Sequence, residues 1–216
     1  LRELLDPEAI EATVAELGRL SRPVDCHPDA LHDLLLALGP LSETELARRV
    51  APNDELGRVL AELRDERRVF EVGMAGERRL AAAEDMARLR DALGVVPPLG
   101  VPSAFLEAVS DPLLDLVSRY ARTHGPFAPN GVAGALGIGV APVRDALSRL
   151  TAAGRVVEGE LLPGGSGREF CDAEVLRSIK RRSLAKLRQE IEPVDATTLT
   201  RFLAEWHELG QRAFGP

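Results

Sequence analysis

Between Arg177 and Arg188 the sequence places six cationic side chains, Arg177, Lys180, Arg181, Arg182, Lys186 and Arg188, with no acid among them. Cations at that density are suited to neutralising phosphates, releasing condensed counterions from a nucleic-acid backbone. Four arginines join them as candidate nucleic-acid-binding residues. Arg144 and Arg149 fall on the polar side of a helix, and Arg155 and Arg168 flank a hairpin. The chain carries a net −7, and setting the six cations of residues 177–188 aside leaves −13 on the remainder. Any attraction for an anionic polymer is therefore local. The same helix face has a second use, an ion-paired seam against the acidic N-terminal part of the chain.

Chemistry of other kinds finds no support in the sequence. There is no GxxxxGK[ST] loop to cradle a nucleotide, no HExxH or CxxC to hold zinc, and Gly137-Ile138-Gly139 reads as the turn between two helices. His27, His32, His124 and His207 share no ligand spacing. The acidic pair Asp54-Glu55 sits at an expected helix start, where the dipole favours it. No residue is assigned a catalytic or metal-binding role.

The elements that position the cations come from local signals. Asp6 before Pro7 opens a helix with apolar residues at Ile10, Val14 and Leu17. A second helix spans about Pro28 to Leu38, Ser42 with Glu45 forms a capping-box spacing, and Asp54 opens a helix through Leu63. Extended runs at Val69–Val72 and Arg78–Ala81 then form a hairpin. The order repeats: Asp111 opens a helix through Tyr120, Asn130 a short one through Leu136, and Val140 a third through Leu150. A second hairpin uses residues 155–161 and 168–171 around a glycine-rich turn. Helices followed by a hairpin are the plan of a winged helix, with its third helix as recognition helix and the hairpin as wing. Asp172 then caps a long helix with an apolar face at Val175, Leu176, Ile179, Leu184, Leu187 and Ile191, ended by Pro193. A last helix spans about Thr197 to Leu209.

The fold class expected is thus α-rich α+β: two tandem winged-helix modules with β-hairpin wings plus a C-terminal helical segment. The boundaries are 1–93 for the first module, 94–109 for a proline-rich linker, 110–171 for the second module, and 172–216 for the basic and C-terminal helices. A 45% hydrophobic but only 4% aromatic composition agrees with helical cores of Leu, Val and Ala. Cys26 and Cys171 stand far apart, which argues against a disulfide framework and for a reducing cytoplasm. No apolar run approaches the roughly 18–20 residues that span a bilayer, and no membrane role is expected. A start at Leu1 and an end at Phe214-Gly215-Pro216 read as a piece of a longer polypeptide.

Several stretches resemble the large helicase-related (Lhr) family. They are Asp91–Val95 leading to Gly100-Val101-Pro102, Tyr120–Phe127, Gly167–Arg177, Arg181–Arg188, Glu190–Val194 and Arg201–His207, whereas the first ninety residues fit loosely. The resemblance implies a superfamily 2, ATP-dependent DNA helicase acting in DNA repair. Its motor domains would use ATP and Mg, and this segment would belong to the winged-helix C-terminal extension of the long bacterial form. That extension is similar to winged-helix DNA glycosylases, and long members are linked to uracil removal, but the resemblance carries no glycosylase catalytic residue onto a position here. The partners implied are DNA, single-stranded or duplex, other domains of the same polypeptide, and further copies of the chain in a homo-oligomer. Two other functions fit the same residues. One is a winged-helix transcriptional regulator, although Val140, Ala141 and Pro142 stand where base-reading side chains belong. The other is a purely structural oligomerisation module.

Overall fold

The computed structural model describes residues 5–52, 54–165, 167–190 and 196–206. Ten α-helices and two hairpins are described: α1 (Pro7–Leu17), α2 (Pro28–Leu38), α3 (Glu43–Ala47), α4 (Leu56–Asp65), β1 (Val69–Met74), β2 (Glu77–Ala82), α5 (Met86–Leu93), α6 (Pro112–Thr123), α7 (Pro129–Leu136), α8 (Val140–Ala152), β3 (Val156–Gly159), β4 (Glu169–Asp172), α9 (Ala173–Glu190) and α10 (Ala196–Trp206). This is the α-rich α+β, winged-helix architecture that the sequence pattern predicts.

Each module is closed by the same device. In the first, β1 pairs antiparallel with β2 from Val69–Ala82 to Met74–Glu77, and a bridge from Leu41 to Leu80 adds one residue of a third strand. In the second, β3 pairs with β4, and a bridge from Phe127 to Phe170 does the same. The first core joins Leu31, Leu35, Leu46, Leu63 and Leu80 of α2, α3, α4 and the hairpin. A second, larger cluster begins on the other side of that hairpin with Phe70, Val72 and Met74. It continues through Met86 and Leu89 of α5 and ends among Val117, Val143, Leu147 and Leu150 of the second module. One face of the first wing is therefore core for the second module. Val95 is buried and Phe105 and Leu106 pack against that cluster, so the 94–109 segment lies on the body of the protein.

The wing tip fits because of a glycine. Gly137 turns the chain between α7 and α8 at φ +68°, and a Cβ there would meet the Ala75 backbone at 2.8 Å. Only a residue without a side chain combines that conformation with that approach.

The helix α1, expected with the first module, packs elsewhere. Ile10, Val14 and Leu17 meet Leu161, Cys171, Val175, Leu176 and Ile179 in a third cluster, on the second wing and α9. A Cβ on Gly125 would lie 2.5 Å from Val14 Cγ2, so the glycine after α6 admits the helix. The amphipathic pattern of α1 specifies an apolar face and leaves the partner to be set by three-dimensional proximity.

Several caps form as expected and three do not. Asp6 Oδ1 accepts from Ala9 N at 2.9 Å. Ser42 and Glu45 form a full capping box, and Asp172 Oδ1 accepts from Glu174 N at 2.9 Å. The fourth helix instead begins after Glu55, without a side-chain cap, and Asn130 falls inside α7, which starts at Pro129. Asp111 takes a left-handed conformation, φ +53°, and its carboxylate pairs with Arg149 instead of capping α6. Along α9, Val175, Leu176 and Ile179 are buried, but Leu184 and Leu187 are exposed, because α1 covers only the first half of that face. Ile191, Pro193 and the end of the last helix lie outside the described residues.

Candidate nucleic-acid interface

The ten sequence-predicted cations do not form one surface. On α9, the seam reading holds for Lys186 and Arg182. Lys186 Nζ donates to Asp6 Oδ2 at 2.9 Å and Glu8 Oε2 at 2.7 Å, and Arg182 pairs with Glu16. The same contacts pull the Asp6 and Glu16 carboxyls below their usual range, through the hydrogen bonds from Lys186 and Arg182 respectively, and raise Lys186. Asp6 N also donates to the buried Ser183 Oγ at 3.0 Å, so α1 is tied to α9 by charge and backbone together. Arg177 pairs with Glu174 one turn back on its own helix. Lys180 is half-buried, and Arg181 and Arg188 are exposed.

Elsewhere, Arg149 is held by Asp111, and Arg168 lies 3.5 Å from Glu158 across the second wing. Arg144 is exposed on α8 and makes no ion pair among the described residues. Arg155 Nη2 donates to Ser118 Oγ at 2.7 Å, which anchors the base of the wing to α6.

Four of the ten meet at one place. A cleft of about 640 Å3 opens between α1, the end of α6, the α8–β3 turn and the first turns of α9, and Arg155, Arg177, Arg181 and Arg182 line it. A fifth arginine joins them from the last turn of α6, Arg122, which the sequence reading did not single out. Its one signal in the sequence is its place inside the Tyr120–Phe127 motif. Three acids also line the cleft. Of these, Glu16 and Glu174 are paired to Arg182 and Arg177, and Asp172 is buried as the cap of α9. Among the described residues Arg122, Arg155 and Arg181 have no carboxylate partner, Arg155 being held by the Ser118 hydroxyl. Three unneutralised guanidiniums and two partly neutralised ones on a concave surface make a phosphate-binding geometry, since the planar fork of arginine matches phosphate oxygens in pairs.

The motif Arg168–Asp172 reaches the lining of this cleft at Asp172. Glu169, buried, accepts from Leu161 N at 2.8 Å and Leu162 N at 3.3 Å and so fixes the second wing. Phe170 exchanges backbone bonds with Phe127, at 2.8 and 2.9 Å. Cys171 is fully buried, and Asp172 starts α9.

The winged-helix domain of the large helicase-related protein matches residues 3–108. Across 97% of its length the chain is 45% identical to the Lhr helicase/probable uracil glycosylase of Mycolicibacterium smegmatis. The chain belongs to the large helicase-related family. The Lhr helicase/uracil glycosylase of Escherichia coli is 37% identical over 94% of the chain. The chain spans 14% and 13% of the lengths of these two Lhr proteins. Residues 3–90, which the motifs fit only loosely, fall inside the matched Lhr domain. The chain is thus a helicase-associated winged-helix region of this family. No described helix is long and apolar enough to cross a membrane, and no group of three or more His, Cys, Asp or Glu among the described residues could hold a metal ion.

Proposed function

We propose that this chain is a non-motor segment of a larger, cytoplasmic, ATP-dependent superfamily 2 DNA helicase of the C-terminal-extension type, acting in DNA repair, and that it grips the DNA backbone. ATP and Mg belong, on this reading, to motor domains elsewhere in the polypeptide. The observation that carries the proposal is the arginine cleft, where Arg122, Arg155, Arg177, Arg181 and Arg182 converge from three elements. The grip is one of backbone charge without base reading. The start of α8 offers Val140, Ala141 and Pro142 in place of the bidentate donors that read base edges, which disfavours a sequence-specific regulator. In α4 the exposed Arg58 is matched by Glu55 and Glu62, and Arg64 by Glu43, so the first recognition helix offers no surplus of charge.

The test is fluorescence anisotropy of single-stranded and duplex DNA across a salt series, with light scattering on the same sample. Binding by a monomer is expected, with the logarithm of affinity falling linearly with that of salt. The Arg122→Ala/Arg181→Ala double variant should flatten that slope by roughly 1.4 to 1.8, for two phosphates at about 0.7 to 0.9 each. A defined oligomer without DNA binding would replace this reading with an assembly role.

A further inference from the structure

We propose that the seam between the two modules holds a second site, for an organic phosphate of mononucleotide size. A cavity of about 310 Å3 lies where α1, the α2–α3 connection and the first hairpin meet α6 and α7, at the lower end of the ~300–1,000 Å3 typical of small-ligand sites. It lies on the other side of α1 and α6 from the arginine cleft: Val14 and Tyr120 face this cavity, Thr13 and Arg122 the cleft.

Arg49, Arg79 and Arg119 reach the cavity against one acid, Glu45. That acid is occupied: Glu45 Oε2 accepts from Ser42 N at 2.8 Å and lies 3.6 Å from Arg79. Arg49 donates only to carbonyls, Gly18 O at 2.8 Å and Glu45 O at 2.6 Å, and has no ion-pair partner among the described residues. Arg79 directs Nη1 to Pro40 O and Nη2 to Glu77, while its Nε is buried with no acceptor. Arg119 uses Nη1 on both oxygens of Asp85. Its Nη2 borders the space above Gly39, where a Cβ would sit at 3.2 Å and where φ of +89° excludes other residues. A buried donor without an acceptor carries an uncompensated desolvation cost. Arg79 is matched by Glu45 and Glu77 and Arg119 by Asp85, so among the described residues Arg49 is the cation at this cavity left to meet the charge of a phosphate. The remaining wall is apolar and aromatic. Leu41, Leu116 and Leu136 line it with Tyr120, whose ring stacks on His124 with centroids 3.7 Å apart. Such a wall suits a flat ring carried beside the phosphate. The ligand is a free mononucleotide or a nucleotide unstacked from a strand.

Isothermal titration of the whole chain with dTMP, thymidine and inorganic phosphate tests the site, alongside Arg49→Gln and Ala135→Trp. Ala135 lines the cavity, and a tryptophan there fills it without removing a charge. Saturable dTMP binding is expected, at least about tenfold tighter than thymidine or phosphate, with at least about tenfold loss in each variant that thermal unfolding shows to be folded. No saturable heat, equal affinity for phosphate alone, or dTMP binding unchanged in a folded variant overturns the proposal. Single-strand binding by Ala135→Trp assigns the source: a matching loss points to a nucleotide of the strand, and unchanged strand binding to a free nucleotide. Because Arg122 and Arg181 line the cleft and not this cavity, failure of the cleft and failure of the cavity are read separately.

Discussion

Replacing Arg119 with methionine removes a clamp between the modules. Arg119 is on α6 of the second module and reaches back to Asp85, at 2.7 and 2.9 Å, and to Leu36 O of α2 at 3.4 Å. Asp85 is 2% exposed and the Arg119 side chain 14% exposed, so the pair is dry. Removing one partner of a buried pair costs about 3–5 kcal/mol, because the remaining charge stays buried and unpaired. Arg88 Nη1 stands 3.6 Å from Asp85 and offsets part of that cost, which places the expected loss near the lower end, about 3 kcal/mol. At roughly 2–4 °C per kcal/mol for a chain of this size, the melting temperature falls by roughly 6–12 °C. Urea unfolding followed by circular dichroism, with calorimetry alongside, measures both quantities. The double variant Asp85→Asn/Arg119→Met should recover most of the loss, since no charge is then stranded. A loss below about 1 kcal/mol in Arg119→Met would refute the clamp and transfer its role to Arg88.

Gly137→Ala should destabilise by about 1–3 kcal/mol, through the positive φ and the contact with Ala75, and calorimetry reads it. The α1–α9 seam should open in acid. Its carboxyls titrate below their ordinary values of 3.8 for Asp6 and 4.5 for Glu16. Their stabilising effect is thus complete above those values and is lost as pH falls through the lower, folded ones. Carboxyl chemical shifts of Asp6 and Glu16 should move with amide signals of α9. Cys171, buried and pushed up to about 12 by desolvation, should resist alkylation in the native protein at pH 8, whereas the half-buried Cys26 should react faster. Peptide mapping after iodoacetamide treatment distinguishes the two.

What was legible in the sequence was local. The caps at Asp6, Ser42 and Asp172 depend on neighbours two or three residues away, and both hairpins declare themselves through alternation and turn residues. What was not legible depended on distance in the chain. Asp6, Glu8 and Glu16 neutralise Lys186 and Arg182 across more than 160 positions, so a run that reads as six free cations presents fewer. Leu184 and Leu187 continue the spacing of Ile179 yet stay exposed, because periodicity marks a face and not the extent of its cover. Arg122 illustrates the converse: outside any cationic run, it becomes part of a set only when α6 ends beside α9.

The docking of the first wing changes what the proline-rich stretch at 94–102 means. It invites a cut, as any segment does that cannot form a helix between two similar units. A cut there would strip the apolar neighbours from Phe70, Val72 and Met74 on one half and from Val117 and Leu136 on the other. Two sticky halves would result where two tidy ones were intended, and the two recognition helices, held at one fixed spacing in the intact chain, would no longer keep step.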